Sequence, residues 1–112
     1  MLVVEDDPAS ASALSTILRR LGMEIKVTAT VSDALAALAV ERPDVVLLDL
    51  MLPDGDGEQI LSHVREHLPG TRVYVLTACS DLTRLKKLNL LKPDSILAKP
   101  IDLGRLLAEL KN

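Results

Sequence analysis

The sequence predicts a doubly wound α/β domain, and three observations carry that expectation. Short runs rich in Val, Ile and Leu alternate with longer segments whose apolar residues recur at helical spacing. The run Val45-Val46-Leu47-Leu48 is apolar without alternation, as a strand covered on both faces must be. No hairpin dipeptide joins one apolar run to the next, so successive strands should pair in parallel through right-handed crossovers.

Taken in order, "MLVVE" (1–5) reads as the first strand. Asp7-Pro8 then supplies an N-cap with proline at the first helical position. The spacing of Leu14, Ile17, Leu18 and Leu21 predicts a helix over 8–21, and Gly22 sits where its C-terminus needs a left-handed residue. "EIKVTA" (24–29) is the second strand; Leu35, Leu38 and Ala39 mark a helix over 31–41. "DVVLLDL" (44–50) is the third strand, followed by a helix over 57–68 carrying Ile60, Leu61, Val64 and Leu68. "RVYVLTA" (72–78) is the fourth strand. The next helix, over 81–91, has Leu82, Leu85, Leu88, Leu90 and Leu91 and so little polar contrast. "SILAKP" (95–100) is the fifth strand, Asp102 is a second N-cap, and Leu103, Leu106, Leu107 and Leu110 line the last helix. With no internal repeat, low-complexity segment or linker, residues 1–112 read as one (βα)5 domain with helices on both sides of the sheet.

Composition narrows the function. At 112 residues and 48% hydrophobic the chain can bury one sizeable core. A single Tyr with no Phe or Trp makes that core aliphatic and leaves little to stack on exposed bases. A net charge of −3 offers no basic field, so no direct nucleic-acid binding is expected. Arg19-Arg20 and Lys86-Lys87 read as solvated helix patches. No apolar run reaches the length of a membrane span, about 18 residues, and nothing resembles a signal peptide. Cys79 is alone, which excludes a disulfide framework and a cysteine-rich zinc site; it reads as a strand-end packing residue. A cytoplasmic protein is the expectation, with no membrane insertion and its oligomeric state open.

Polar residues concentrate at one place. In an open parallel sheet, ligands bind beyond the carboxyl ends of the strands at the topological switch point. Strand 1 ends in Glu5-Asp6-Asp7, strand 3 in Asp49, strand 4 in Thr77-Ala78 and strand 5 in Lys99-Pro100. The flavodoxin-like order 2-1-3-4-5 would set strands 1, 3 and 4 side by side, about 4.8 Å apart, so that Asp6, Asp49 and Thr77 share one pocket. Carboxylates that close need a proton or a cation between them. All-oxygen ligands suit Mg²⁺ or Mn²⁺ rather than zinc. Lys99 adds a compact charge suited to a phosphoryl oxygen, and a carboxylate can serve as nucleophile to form an acyl phosphate. Asp49, on the central and most apolar strand, is the natural nucleophile.

"LVVEDDP", "VVLLDLMLPDGDG", "VLTA" and "AKP", in this order and spacing, resemble the receiver domain of two-component response regulators over essentially the whole chain. The resemblance implies that Asp49 accepts a phosphoryl group from a phosphohistidine of a sensor kinase or phosphotransfer domain. It implies that Asp6 and Asp49 bind Mg²⁺ directly, that Glu5 acts mostly through water, and that Met51 offers its backbone carbonyl to the same ion. Thr77 would be the switch hydroxyl, Ala78 a backbone N–H donor to the phosphoryl group, and Lys99 the site lysine, with a cis peptide before Pro100. The domain would be a phosphoacceptor that assists its own phosphorylation rather than an enzyme. It would signal through the face built around 81–111 to an output domain or partner protein.

Three positions depart from the family pattern. Ile96 stands where Tyr or Phe is usual, Lys92-Pro93 replaces a small Gly-Ala pair, and Ile101 replaces a Phe. They leave open a rival, a phosphorylation-independent interaction domain on the same fold. A hydrolase working through an aspartyl phosphate is a third reading, with Glu58 or Asp56 as its only local acid/base. Met51 and Cys79, two past Asp49 and Thr77, orient water poorly, so slow self-dephosphorylation is expected.

The remaining polar residues have plainer readings. Asp7 caps a helix rather than adding a ligand. "PDGDG" fails as a calcium loop, because that register would start at Leu52 and end at His63. Asp54 and Asp56 read as turn residues, and His63 and His67 as surface positions on the third helix.

Overall fold

The periodic segments form the elements expected of them. The structure, a computed structural model, describes residues 1–78 and 81–111. The strands are β1 (Leu2–Val4), β2 (Lys26–Thr28), β3 (Val45–Asp49), β4 (Arg72–Thr77) and β5 (Ser95–Ala98). The helices are α1 (Pro8–Arg20), α2 (Val31–Val40), α3 (Glu58–His67), α4 (Leu82–Leu90) and α5 (Leu103–Leu110). The parallel sheet has the order β2-β1-β3-β4-β5, the flavodoxin-like arrangement expected.

Side-chain alternation splits the core into two layers. Val46 and Leu48 pack with Val4, Ile60, Leu61, Val64 and Leu88 beneath α2, α3 and α4. Val45 and Leu47 pack with Val3, Leu14, Leu18, Leu97 and Leu106 beneath α1 and α5. β3 is buried along its whole length, Asp49 included, which is why its sequence shows no polar face. Tyr74 belongs to the α1/α5 layer and its hydroxyl donates to Glu109 O at 3.2 Å.

Caps set the helix starts. Asp7 Oδ1 accepts from Ala9 N and Oδ2 from the Ser10 hydroxyl, so Asp7 is the α1 cap. The Ser10 hydroxyl, then the Ala9 amide, hold its carboxyl below the usual range. Asp81 and Asp102 cap α4 and α5 in the same way. Gly22 follows α1 with φ 89°, the left-handed conformation its position demands.

Two features depart from expectation. Met51–Leu52 and Gly55–Asp56 pair as a small antiparallel hairpin around Pro53-Asp54, although no hairpin was legible; two residues per strand are too few to show a period. On α4 only Leu88 is buried, while Leu82 and Leu90 are exposed. The missing polar contrast there reflects leucines standing among the exposed Thr83, Lys86, Lys87 and Asn89, not a deeper seat.

Candidate functional site

The register brings the strand ends together. Val4 pairs with Leu48, Asp49 with Leu76 and Thr77 with Ala98, so Glu5, Asp49, Thr77 and Lys99 fall at one edge of neighbouring strands. Glu5 N donates to Thr28 O and Lys99 N to Thr77 O, each at 2.9 Å, extending the ladders one residue past the strands. The Lys99-Pro100 peptide is cis.

One cation links two carboxylates at this edge. Lys99 Nζ donates to Asp49 Oδ2 at 3.0 Å and to Glu5 Oε2 at 3.1 Å. The second oxygen of each carboxylate takes a backbone donor: Met51 N reaches Asp49 Oδ1 at 3.0 Å, and Asp7 N reaches Glu5 Oε1 at 3.1 Å. Glu5 and Asp49 are buried, Lys99 is partly exposed and Asp6 is exposed at the rim. Burial, with Asp49 adding to it, pushes the Glu5 carboxyl above the ordinary value of 4.5 against the pull of the Asp7 amide and Lys99. Burial alone would lower the Lys99 ammonium; its bonds to Asp49 and Glu5 outweigh that and hold it above 10.5.

Glu5, Asp6 and Asp49 each present an oxygen within 4.8 Å of the others. Three carboxylates this close, with one shared ammonium, carry surplus negative charge, and their oxygens suit a hard divalent ion. Among the described residues this is the one such cluster of three. His63 and His67 meet on α3 with ring centroids 4.6 Å apart and planes tilted by 43°, and among the described residues they gain no third ligand there.

Thr77 is buried at the end of β4, and Ala78 follows it, exposed, on the same edge. Met51 is 61% exposed, so its side chain shields little of the site. The expected packing role of Cys79 lies outside the described residues.

The loop after Asp49 is fastened on three sides, and sequence reasoning missed most of the fasteners. A Cβ at Gly57 would lie 2.7 Å from Asp49 O and 2.9 Å from Leu50 Cα, so glycine is required by close approach. Asp54, expected only to make a turn, also reaches α2: its carboxylate accepts from Val31 N at 2.7 Å and Ser32 N at 3.0 Å. Those amides, Ser32 first, hold its carboxyl below the usual range. Arg84 of α4 grips Glu58 with both carboxylate oxygens, at 2.8 and 2.9 Å. The Arg84 guanidinium holds the Glu58 carboxyl below 4.5, which makes Glu58 a poor acid/base. Nothing in the sequence pairs these residues, 26 positions apart.

Fold and site together define a flavodoxin-like domain with an acidic, lysine-bearing cluster at the switch point of its sheet. A family model described as the response regulator receiver domain matches residues 1–111. The chain belongs to that family, whose members are phosphoacceptor signalling domains. It is 35% identical over 112 residues to the KDP operon transcriptional regulatory protein KdpE of Escherichia coli, covering 99% of this chain and 49% of that protein. The chain spans about half or less of the length of the curated relatives compared. It superimposes with a TM-score of 0.93 and 28% identity on a CheY-like receiver domain protein from Methanospirillum hungatei, covering 98% of this chain and 88% of that one. A response regulator from Burkholderia pseudomallei, with a phosphorylated aspartic acid, a calcium ion and citrate, matches at a TM-score of 0.89 and 26% identity, over 97% of this chain and 64% of that one. No helix among the described residues is long and apolar enough to cross a membrane.

Proposed function

We propose that residues 1–112 form one receiver domain in which Asp49 accepts a phosphoryl group from a phosphohistidine of a sensor kinase or phosphotransfer domain. The observation that carries this reading is the Lys99 ammonium between buried Asp49 and Glu5, beside exposed Asp6. An Asp49 oxygen attacks phosphorus, the P–N bond breaks, and its electron pair stays with the departing imidazole. Lys99, already at Asp49 Oδ2, turns to the phosphoryl oxygens. Thr77 and the Ala78 N–H supply further donors there, as charge spreads over those oxygens.

Glu5, Asp6, Asp49 and the Met51 carbonyl are the residues that would hold Mg²⁺ or Mn²⁺. Bound there, a hard divalent ion would supply positive charge to the phosphoryl oxygens. The acidic cluster supports this, and so does the calcium named with the phosphorylated Burkholderia regulator.

The domain acts as a phosphoacceptor rather than a turnover enzyme; of the two local acid/base candidates for a hydrolase, Glu58 is committed to Arg84 and Asp56 also lies 3.8 Å from that guanidinium. Its signal passes through α4, β5 and α5 to an output domain or partner protein in the cytoplasm. Ile96 packs partly buried against the core, so no aromatic ring swings there. Incubation with acetyl phosphate and Mg²⁺ tests the reading by mass spectrometry. A gain of one phosphoryl group in the wild type, absent in Asp49→Asn, is the expected result; no gain with any donor rejects it.

A further inference from the structure

Arg84 does more than tie two helices. Its fork to Glu58 already joins α4 to α3, yet Nη2 also approaches Leu50 O at 3.3 Å and Nη1 meets Met51 Sδ at 3.0 Å. Leu50 O and Met51 N belong to one peptide group. The N–H end of that peptide donates to Asp49 Oδ1. Its C=O end accepts from Arg84 and, at 3.1 Å, from Gly57 N. A single planar unit thus has the candidate phosphoacceptor at one end and a guanidinium of α4 at the other.

Two consequences follow from that geometry. The peptide plane cannot tilt without breaking a bond at one end, so Arg84 helps fix the Met51 N–H against Asp49 Oδ1. Added negative charge at Asp49, close to two charges for a phosphoryl group, polarises the same unit and competes with Glu58 for the guanidinium. Arg84 sits in the first turns of a helix whose only buried residue is Leu88, so α4 can follow its side chain at little packing cost.

We propose that Arg84 is a positioning residue of the Asp49 site, acting through the Leu50–Met51 peptide, and that it carries the state of Asp49 to α4. The positioning half needs only the geometry; the signalling half rests on the phosphoacceptor reading of Asp49.

Amide NMR spectra of the whole domain test both halves, in wild type, Arg84→Ala and Glu58→Gln, before and after labelling with acetyl phosphate and Mg²⁺. Before labelling, Arg84→Ala should displace the Met51 amide signal, and Glu58→Gln, which keeps the Arg84 donor to Leu50, should displace it far less. Equal displacement by the two variants makes Arg84 a strut between helices and overturns the positioning half. On labelling, the amides of Leu85 and Leu88 should shift in the wild type and shift about threefold less or more weakly still in Arg84→Ala. Equal shifts in both proteins, or none in the wild type once mass spectrometry shows it labelled, overturn the signalling half. A wild type that never gains a phosphoryl group removes the phosphoacceptor reading and the signalling half with it, while the Met51 comparison still decides the positioning half. Should Arg84→Ala lose its fold, Arg84→Lys, which keeps the charge and gives up the fork, decides by the same readouts.

Discussion

Lys99 Nζ lies 3.0 Å from Asp49 Oδ2, joining residues 50 positions apart at the edge where β3 and β5 end. The same ammonium reaches Glu5, so it is the internal counter-charge of an acidic cluster. Replacing it shifts that role to whatever cation is in solution. In Lys99→Met, labelling of Asp49 by acetyl phosphate should slow at least about tenfold, because a donor to the phosphoryl oxygens is lost. Added Mg²⁺ should raise the thermal midpoint of the variant more than that of the wild type. Equal Mg²⁺ effects in the two proteins would contradict the shared-charge account.

Glu5 gives a stability prediction of opposite sign. Its folded pKa is raised above 4.5, chiefly by burial. The stability linked to its bound proton is present below 4.5 and is lost as pH rises through the raised value. At neutral pH without divalent ions, Glu5 is therefore a burden on the fold. Glu5→Gln, which can still accept from Asp7 N, should melt higher than the wild type at pH 7 in chelator and bind Mg²⁺ more weakly. A lower melting temperature would show that the Lys99 bond outweighs desolvation.

Glu58 behaves the other way. Arg84 lowers its pKa, so its contribution is present above 4.5 and is lost as pH falls through the lowered folded value. Denaturant titrations from pH 6 downward should show a steeper loss of stability in the wild type than in Glu58→Gln. Parallel curves would mean that the Arg84 fork contributes nothing to folding.

Gly57 is held by neighbours, not by its own backbone angles, since its φ is −58°. The Cβ of Gly57→Ala would run into the backbone of Asp49 and Leu50. Overpacking against main chain should cost about 3 kcal/mol and should slow labelling of Asp49, as its strand end is displaced. Unchanged stability by urea denaturation would refute the close approach.

Arg65 holds the connection into β5. It donates to Lys92 O, Thr71 O and the Asp94 carboxylate, and Lys92 itself has φ 58°, a strained value for a residue with a Cβ. Beside Lys92-Pro93, which stands where the family has a small Gly-Ala pair, Arg65 forms a three-pronged brace from α3. Arg65→Ala should cost about 2 kcal/mol and raise hydrogen exchange at Asp94 and Ser95. An exchange pattern like that of the wild type would remove the brace from the account.

The sequence by itself determined the alternation of elements and which strand ends carry Glu5, Asp6, Asp49, Thr77 and Lys99, each from local signals: a fully apolar run, a proline after a cap, a polar residue at a strand end. The flavodoxin-like order was the expected one of two common arrangements, and the pairing of distant strands is what sets those ends side by side. Tertiary structure decided the rest. That Arg84 meets Glu58 and Leu50 O, that Asp54 reaches the amides of α2, and that Gly57 touches Asp49 all depend on how separate elements pack. Exposed-looking polar residues on different helices leave no periodic trace of whom they touch, because a long side chain can point to several partners until the backbone fixes one. Chain pattern places charges at an edge; packing alone orients the peptide that joins them.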